Sequence, residues 1–175
     1  SLVRRVDGRW EGTPLPGAPE NSRVAVEGVD PRASADYWMT VTDFLTPTSL
    51  SLGTAGGGPA EVLKRSPSYF DASGSVVTQH EAVSKDGTRV PYFQIAPKGM
   101  RLDGRNPTLM IGYGGFQVSQ LPAYSGTAGA GWIERGGVYV STNIRGGGEF
   151  GPAWHQAAIL ANRDRAYEDF IAIAE

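Results

Sequence analysis

Gly146, Gly148 and Gly151, in the stretch STNIRGGGEFGPAWH at residues 141–155, stand in the G-x-G-x-x-G spacing that can cradle a pyrophosphate. The amides of such a turn point at an anion, the glycines let the chain approach it closely, and a following helix adds its positive end. The context fits that use, because a short apolar run precedes the glycines and a helical pattern follows them. Two features oppose it. Glu149 would set a carboxylate among the phosphate-binding amides, where like charges repel. The acidic residues about twenty positions on, Glu168 and Asp169, fall inside a helical pattern and not at the end of a second strand, where a ribose would be met. The plainer reading of the glycines is a tight strand-to-helix turn with close backbone packing. A dinucleotide-binding oxidoreductase using Gly146 to Gly151 stands as the minor alternative.

The other residue types that could do chemistry narrow the field. The two histidines, His80 and His155, lie far apart without metal-ligand spacing, and the absence of cysteine removes thiolate sites and disulfides. No metal is expected. A formal net charge of -2, with no Lys/Arg run longer than a pair, leaves no electrostatic footprint for nucleic acid. No stretch approaches the roughly 18 apolar residues of a membrane-spanning helix, so no membrane partner is expected. The start SLVRRVDGRW has no signal-peptide core. Because the chain does not begin with Met, a leader would not show, and localisation stays open.

The elements that must position these residues can be sketched from pattern. At 175 residues, 40% hydrophobic and 19% charged, the chain has a globular composition and a length for one or two domains. Its first seventy or so residues read as short strands between turns: SRVAVEGV, DYWMTVTDF, TSLSLG and EVLKR, separated by Asp-Pro, Thr-Pro and Gly56-Gly57-Gly58-Pro59. That is the pattern of an all-β meander, sandwich or propeller blade. Next, two β-rich runs flank Asp86-Gly87, a pair suited to a hairpin turn. Pro91 lacks a ladder donor and predicts an edge position or a bulge for the second strand. Leu109-Met110-Ile111 and Val138-Tyr139-Val140 read as strands buried on both faces, joined by a crossover with a helix around Tyr124 to Arg135. Pro152 suits a first helical position and Asn162 a helix cap. Ala166, Tyr167, Phe170, Ile171 and Ala174 then repeat at helical spacing and predict one apolar face. The pattern is still helical at Glu175, so an α/β domain is expected to continue there.

The blocks IGYGGFQVSQLPAYS and WIERGGVYVSTNIRGGGEFGPAWHQAAILANRDRAYEDFIAIAE resemble the prolyl oligopeptidase family of serine peptidases. VTDFLTPTSL and VSKDGTRVPYFQIAPKG are similar to that family's passage from β-propeller to α/β-hydrolase domain. Residues 1–35 are the least distinctive. The combination of GYGGF, NIRGGGE and WH is more similar to the proline-cleaving branch than to relatives that cut after basic residues. The resemblance implies an α/β fold: residues 1–71 as the C-terminal part of a β-propeller, and 72–175 as the first part of an α/β-hydrolase domain. It makes NIRGGGEFG the loop after a sheet strand, with no nucleotide.

The family's hydrolases carry their nucleophile in a G-x-S-x-G elbow, with the triad in the order Ser, Asp, His. No G-x-S-x-G occurs in residues 1–175, and the resemblance places all three beyond Glu175. His155 and Asp169 precede the expected nucleophile and are not triad members; His155 belongs to a packing segment, AWHQ. What the resemblance assigns to this chain is Tyr113, the tyrosine of GYGGF, as an oxyanion-hole donor, and Phe116 as a wall of the pocket that receives the substrate's proline ring. A phenol with a reference pKa near 10 keeps its proton at neutral pH, as a donor must. The implied activity is hydrolysis of short peptides on the carboxyl side of proline through an acyl-enzyme, without a cofactor. The implied partners are proline-containing peptides and the remainder of the same polypeptide; the 175 residues alone are expected to be inactive. A noncatalytic hydrolase-like binding module is the other alternative. Trp132, Trp154, Arg145 and Glu149 read as structural, the last two as a local pair or as backbone contacts.

Overall fold

The computed structural model describes residues 2–13 and 15–175. Sheet dominates it. Strands β1 (Leu2–Val6) and β2 (Arg9–Thr13) form a hairpin around Asp7 and Gly8, whose φ angles of 49° and 81° are those a two-residue turn demands. Asp7-Gly8 is the sequence signal for this hairpin.

Four strands follow as an antiparallel meander in sequence order: β3 (Arg23–Gly28), β4 (Asp36–Thr42), β5 (Ser49–Thr54) and β6 (Glu61–Arg65). They match the four runs read from the sequence. Alternation along β4 sends Tyr37, Met39 and Val41 into a small core with Leu15 and Ala60. Gly53 of β5 leaves room for the Tyr37 ring, which a Cβ there would strike.

The second sheet runs β7 (Ser75–Val83), β8 (Arg89–Pro97), β9 (Thr108–Ile111) and β10 (Val138–Thr142) in the spatial order β7-β8-β10-β9. Only the β9–β10 pair is parallel. The expected hairpin turn is present, with Gly87 at φ +86°. Pro91, however, lies in the inner strand β8 and not at an edge. The ladder tolerates it because β10 ends at this level. The Asn143 amide donates to the Pro91 carbonyl at 3.0 Å, and the Asn143 carbonyl, which a ladder N–H at 91 would serve, accepts from Trp154 Nε1 at 3.2 Å. A second correction concerns β9, which is an edge strand with Leu109 42% exposed, while β10 is buried as expected.

The β9-to-β10 crossover is helical only over α1 (Gly126–Ala128), capped by Ser125 Oγ, and a π-turn at Gly129–Ile133. The helix is shorter than the span 124–135 because glycines weaken it and are needed where they are: a Cβ on Gly129 would enter the Phe70 ring. After β10 come α2 (Pro152–Gln156), with Pro152 in its first turn, a 3-10 turn at Leu160–Asn162, and α3 (Asp164–Ala174). Asn162 does not cap α3; it belongs to the 3-10 turn, and no side chain among the described residues caps the helix.

Side chains of β8 and β10 alternate between the two faces of the sheet. Phe93, Ile95 and Tyr139 pack with Phe70, Ile133 and Phe44, the last from the β4–β5 connection, so this core joins the two sheets. The Phe44 and Phe93 rings lie 5.3 Å apart. On the opposite face Val90, Ile144, Ala158 and Ala166 pack with Phe170 and Ile173. The buried face of α3 is therefore Ala166, Asp169, Phe170 and Ile173. Tyr167 and Ile171, expected inside, are 56% and 55% exposed, and Ala174 is exposed too. The helix sits one residue, about 100°, from the orientation that apolar spacing alone implies.

Candidate active site

Two loops at the same end of the second sheet pack against each other: residues 112–121 after β9 and 143–151 after β10. Their contacts explain the glycines. A Cβ on Gly146, at φ +95°, would meet the Gly114 carbonyl, and one on Gly148 would meet the Gln117 carbonyl. The loops are also hydrogen-bonded: Gln117 N–H to Gly146 O at 3.3 Å, Gly148 N–H to Val118 O at 3.3 Å, and Asn143 Nδ2 to Gln120 O at 2.9 Å. The amides that a pyrophosphate would need are engaged within the chain. Gly146 donates to Trp154 O, Gly147 to Ile144 O, Gly148 to Val118 O and Gly151 to Gly148 O. Glu149 turns into the junction, where its Oε1 accepts from Gln120 N–H at 2.7 Å. Its Oε2 is buried without a hydrogen-bond partner among the described residues.

Arg145 anchors the second loop from below. It is 3% exposed, and its guanidinium reaches Asp169, itself fully buried, at 2.6 Å and Asp86 at 2.5 Å. Asp169 Oδ2 also accepts the Arg145 backbone N–H at 2.9 Å, so one carboxylate fixes both ends of the residue. The hydrogen bonds that Arg145 donates, to Asp169 first and then to Asp86, raise the guanidinium's pKa above its usual value against the cost of desolvation. The Asp86 carboxyl is held well below the usual carboxylate range, chiefly by the hydrogen bond from Arg145 and then by Thr88. In place of the expected pairing within its own loop, Arg145 has its partners on α3 and on the β7–β8 turn. The available signal was Asp169, an acid at an otherwise apolar position of α3.

Tyr113, Phe116 and His155 come together. With Gly115, Leu160 and Arg163 they line an open pocket of about 500 Å³. Tyr113 is 45% exposed and Phe116 87%, their ring centroids 6.5 Å apart and the rings within 27° of parallel. Gly114, Phe116 and Gln117 have φ of +54°, +50° and +58°, and for the two non-glycines this is a conformation kept only where surroundings impose it. His155 supplies part of that restraint. Its Nδ1 lies 2.6 Å from the Gly146 carbonyl oxygen and 3.2 Å from the Gln117 amide nitrogen, so the ring touches both loops where they meet. Phe150 stands edge-on to Trp154 at 5.1 Å beside it. His80 is remote, on exposed β7, hydrogen-bonded to Thr78 Oγ1 at 2.8 Å and beside the Tyr92 ring. Asp169 is absorbed in the Arg145 network. No cluster of His, Asp and Glu among the described residues could hold a metal ion.

An apolar pocket with one phenol at its mouth, on a strained loop at a strand end, is the architecture of a small-ligand or catalytic site. Comparison with known proteins is specific. The model of the prolyl oligopeptidase family matches residues 124–175. An uncharacterized peptidase of Sinorhizobium fredii is 45% identical over 178 aligned residues, which take in 100% of this chain and 24% of the relative. A prolyl endopeptidase of Elizabethkingia meningoseptica is 35% identical over 161 residues, 92% of this chain and 22% of the relative. The solved structure of a post-proline cleaving enzyme from Rickettsia typhi superposes with a TM-score of 0.80 at 32% identity, covering 98% of this chain and 25% of that one. The chain belongs to the prolyl oligopeptidase family, and it spans about a quarter of the length of these relatives.

Proposed function

We propose that the protein containing this chain is a serine-type oligopeptidase that cleaves short peptides on the carboxyl side of proline. In this reading residues 1–71 are the end of a β-propeller and residues 72–175 the first part of an α/β-hydrolase domain. A serine nucleophile from another part of the protein attacks the carbonyl carbon of proline, and the carbonyl oxygen becomes an oxyanion. Tyr113 donates its phenolic hydrogen bond to that oxygen, an interaction that strengthens as the charge develops and so lowers the barrier. The amine leaves with a proton, and water then releases the proline-ended peptide from the acyl-enzyme. Phe116 forms one wall of the pocket for the proline ring, discriminating by shape. The serine, aspartate and histidine lie outside residues 1–175, which contain no G-x-S-x-G.

The observation that carries this reading is the joint exposure of Tyr113 and Phe116 at the mouth of one apolar pocket, on the loop that follows β9. In hydrolases of this kind an oxyanion donor comes from the corresponding loop. The names of the relatives, prolyl endopeptidase and post-proline cleaving enzyme, support the substrate. The test is steady-state hydrolysis of a proline-containing chromogenic peptide by the full-length protein. Tyr113→Phe is expected to lower kcat by about a hundred- to a thousandfold, the effect of losing one oxyanion donor. An unchanged kcat would remove Tyr113 from the mechanism, and a wild type that leaves the peptide intact would remove the peptidase.

A further inference from the structure

Arg163 lines the same pocket as Tyr113 and Phe116, and it also touches the Tyr113 loop directly. Partly buried at the start of α3, it donates from one terminal nitrogen to the Gly114 carbonyl, and its other terminal nitrogen lies 3.5 Å from the Tyr113 carbonyl. Its guanidinium carbon sits 5.2 Å from the centroid of the Tyr167 ring, one turn along the same helix. A planar fork stacked on a ring has few orientations left, so the two donors are directed and not merely near.

The loop needs this grip. Gly114, Phe116 and Gln117 all occupy the left-handed region, and non-glycine residues stay there only where several contacts agree. The Gly146 carbonyl holds the far end, through Gln117 N–H and against His155. Among the described residues, Arg163 is the side chain that hydrogen-bonds the carbonyls of Tyr113 and Gly114. Without it, these two carbonyls lose their side-chain donor, and the segment that carries the phenol loses a restraint.

We propose that Arg163 is a positioning residue for the oxyanion donor, fixing the Gly114–Gly115 peptide and, more weakly, the Tyr113–Gly114 peptide so that the phenolic hydroxyl stands ready where the oxyanion forms. This rests on the peptidase reading of Tyr113. Because that hydroxyl acts on the transition state more than on bound substrate, a loosened Tyr113 lowers kcat and leaves KM near its original value.

The experiment uses the full-length protein and the same chromogenic peptide. Arg163→Met is expected to lower kcat about ten- to a hundredfold, the range for a misplacement of about 1 Å. Arg163→Lys, which keeps a cationic donor, recovers part of that loss. Adding Arg163→Met to Tyr113→Phe costs little more, since the route to catalysis runs through a hydroxyl already removed. Multiplying losses in the double variant, or a wild-type kcat in Arg163→Met, overturn the proposal and leave Tyr113 in place. If Arg163→Met does not fold, Arg163→Gln takes its place with the same expectations. A wild type that fails to cleave the peptide sinks the peptidase reading instead. The clamp is then read by hydrogen exchange at Gln117 and Val118, whose amides donate to the Gly146 and Gly115 carbonyls. Arg163→Met should speed exchange at those two amides, and unchanged exchange overturns the clamp as well.

Discussion

The β3–β6 meander and the β7-β8-β10-β9 sheet have the same number of strands but are held together differently. Each meander strand pairs with its neighbour in sequence, its outer strands β3 and β6 are exposed throughout, and its core is Tyr37, Met39 and Val41 with two partly buried neighbours. The second sheet inserts β10 between β8 and β9, carries apolar cores on both faces, and buries an arginine between two aspartates beside one of them. Local pairing suffices for a meander because adjacent strands meet through short turns. A sheet with a parallel crossover must join segments distant in sequence. Here the joining is polar as well as apolar: Arg145 ties the loop after β10 to α3 and to the β7–β8 turn in one contact set. The candidate site therefore stands on the region whose order depends on long-range contacts.

The contrast can be broken by substitution, with hydrogen exchange resolving each sheet separately. Arg145→Met leaves Asp169 buried without its partner and should destabilise β7, β8 and α3 by about 3–5 kcal/mol, the usual cost of removing one member of a buried pair. Exchange in β4 and β5 should stay near wild type; equal acceleration in both sheets would show that they unfold as one unit. Gly53→Ala is the converse test. The new methyl meets the Tyr37 ring, and overpacking of this kind costs about 1–3 kcal/mol, expected as faster exchange confined to β3–β6. Smallest is Lys85→Ala. Lys85 and Glu168 form a 3.1 Å pair that joins the β7–β8 turn to α3, the same elements as Arg145, but the lysine side chain is 79% exposed. Its loss should change stability by less than about 1 kcal/mol, as for other solvated pairs. A larger loss would make the turn itself, and not the buried arginine, the joint between hairpin and helix.

Much of the fold was legible in order and type of element. Strand alternation with turn residues marked β3 to β6, Asp86-Gly87 marked the hairpin, and two apolar runs with a long spacer marked the parallel pair. The errors share a cause. Pro91 reads as an edge residue because a missing N–H is costly in a ladder, but Trp154 serves the carbonyl left over. The apolar face of α3 reads one position off because Asp169 counts as polar, and only Arg145, distant in sequence, makes its burial favourable. In the site, Tyr113 and Phe116 were reached by resemblance to a family and not by pattern, since tyrosine and phenylalanine among glycines read as well for packing as for catalysis. Arg163 gave almost no signal, because a surface arginine four residues from a tyrosine is common on helices.

The sequence by itself determined what depends on neighbours along the chain: alternation, turn chemistry, helical spacing, and the block resemblance that assigns the family. Tertiary structure alone decided which strand is inner, which helix face is buried, what the glycines at 146 and 148 make room for, and which groups meet around Tyr113. The physical reason is that burial of a charge or a missing donor is resolved by a partner's position in space, and that partner can come from any distance along the chain.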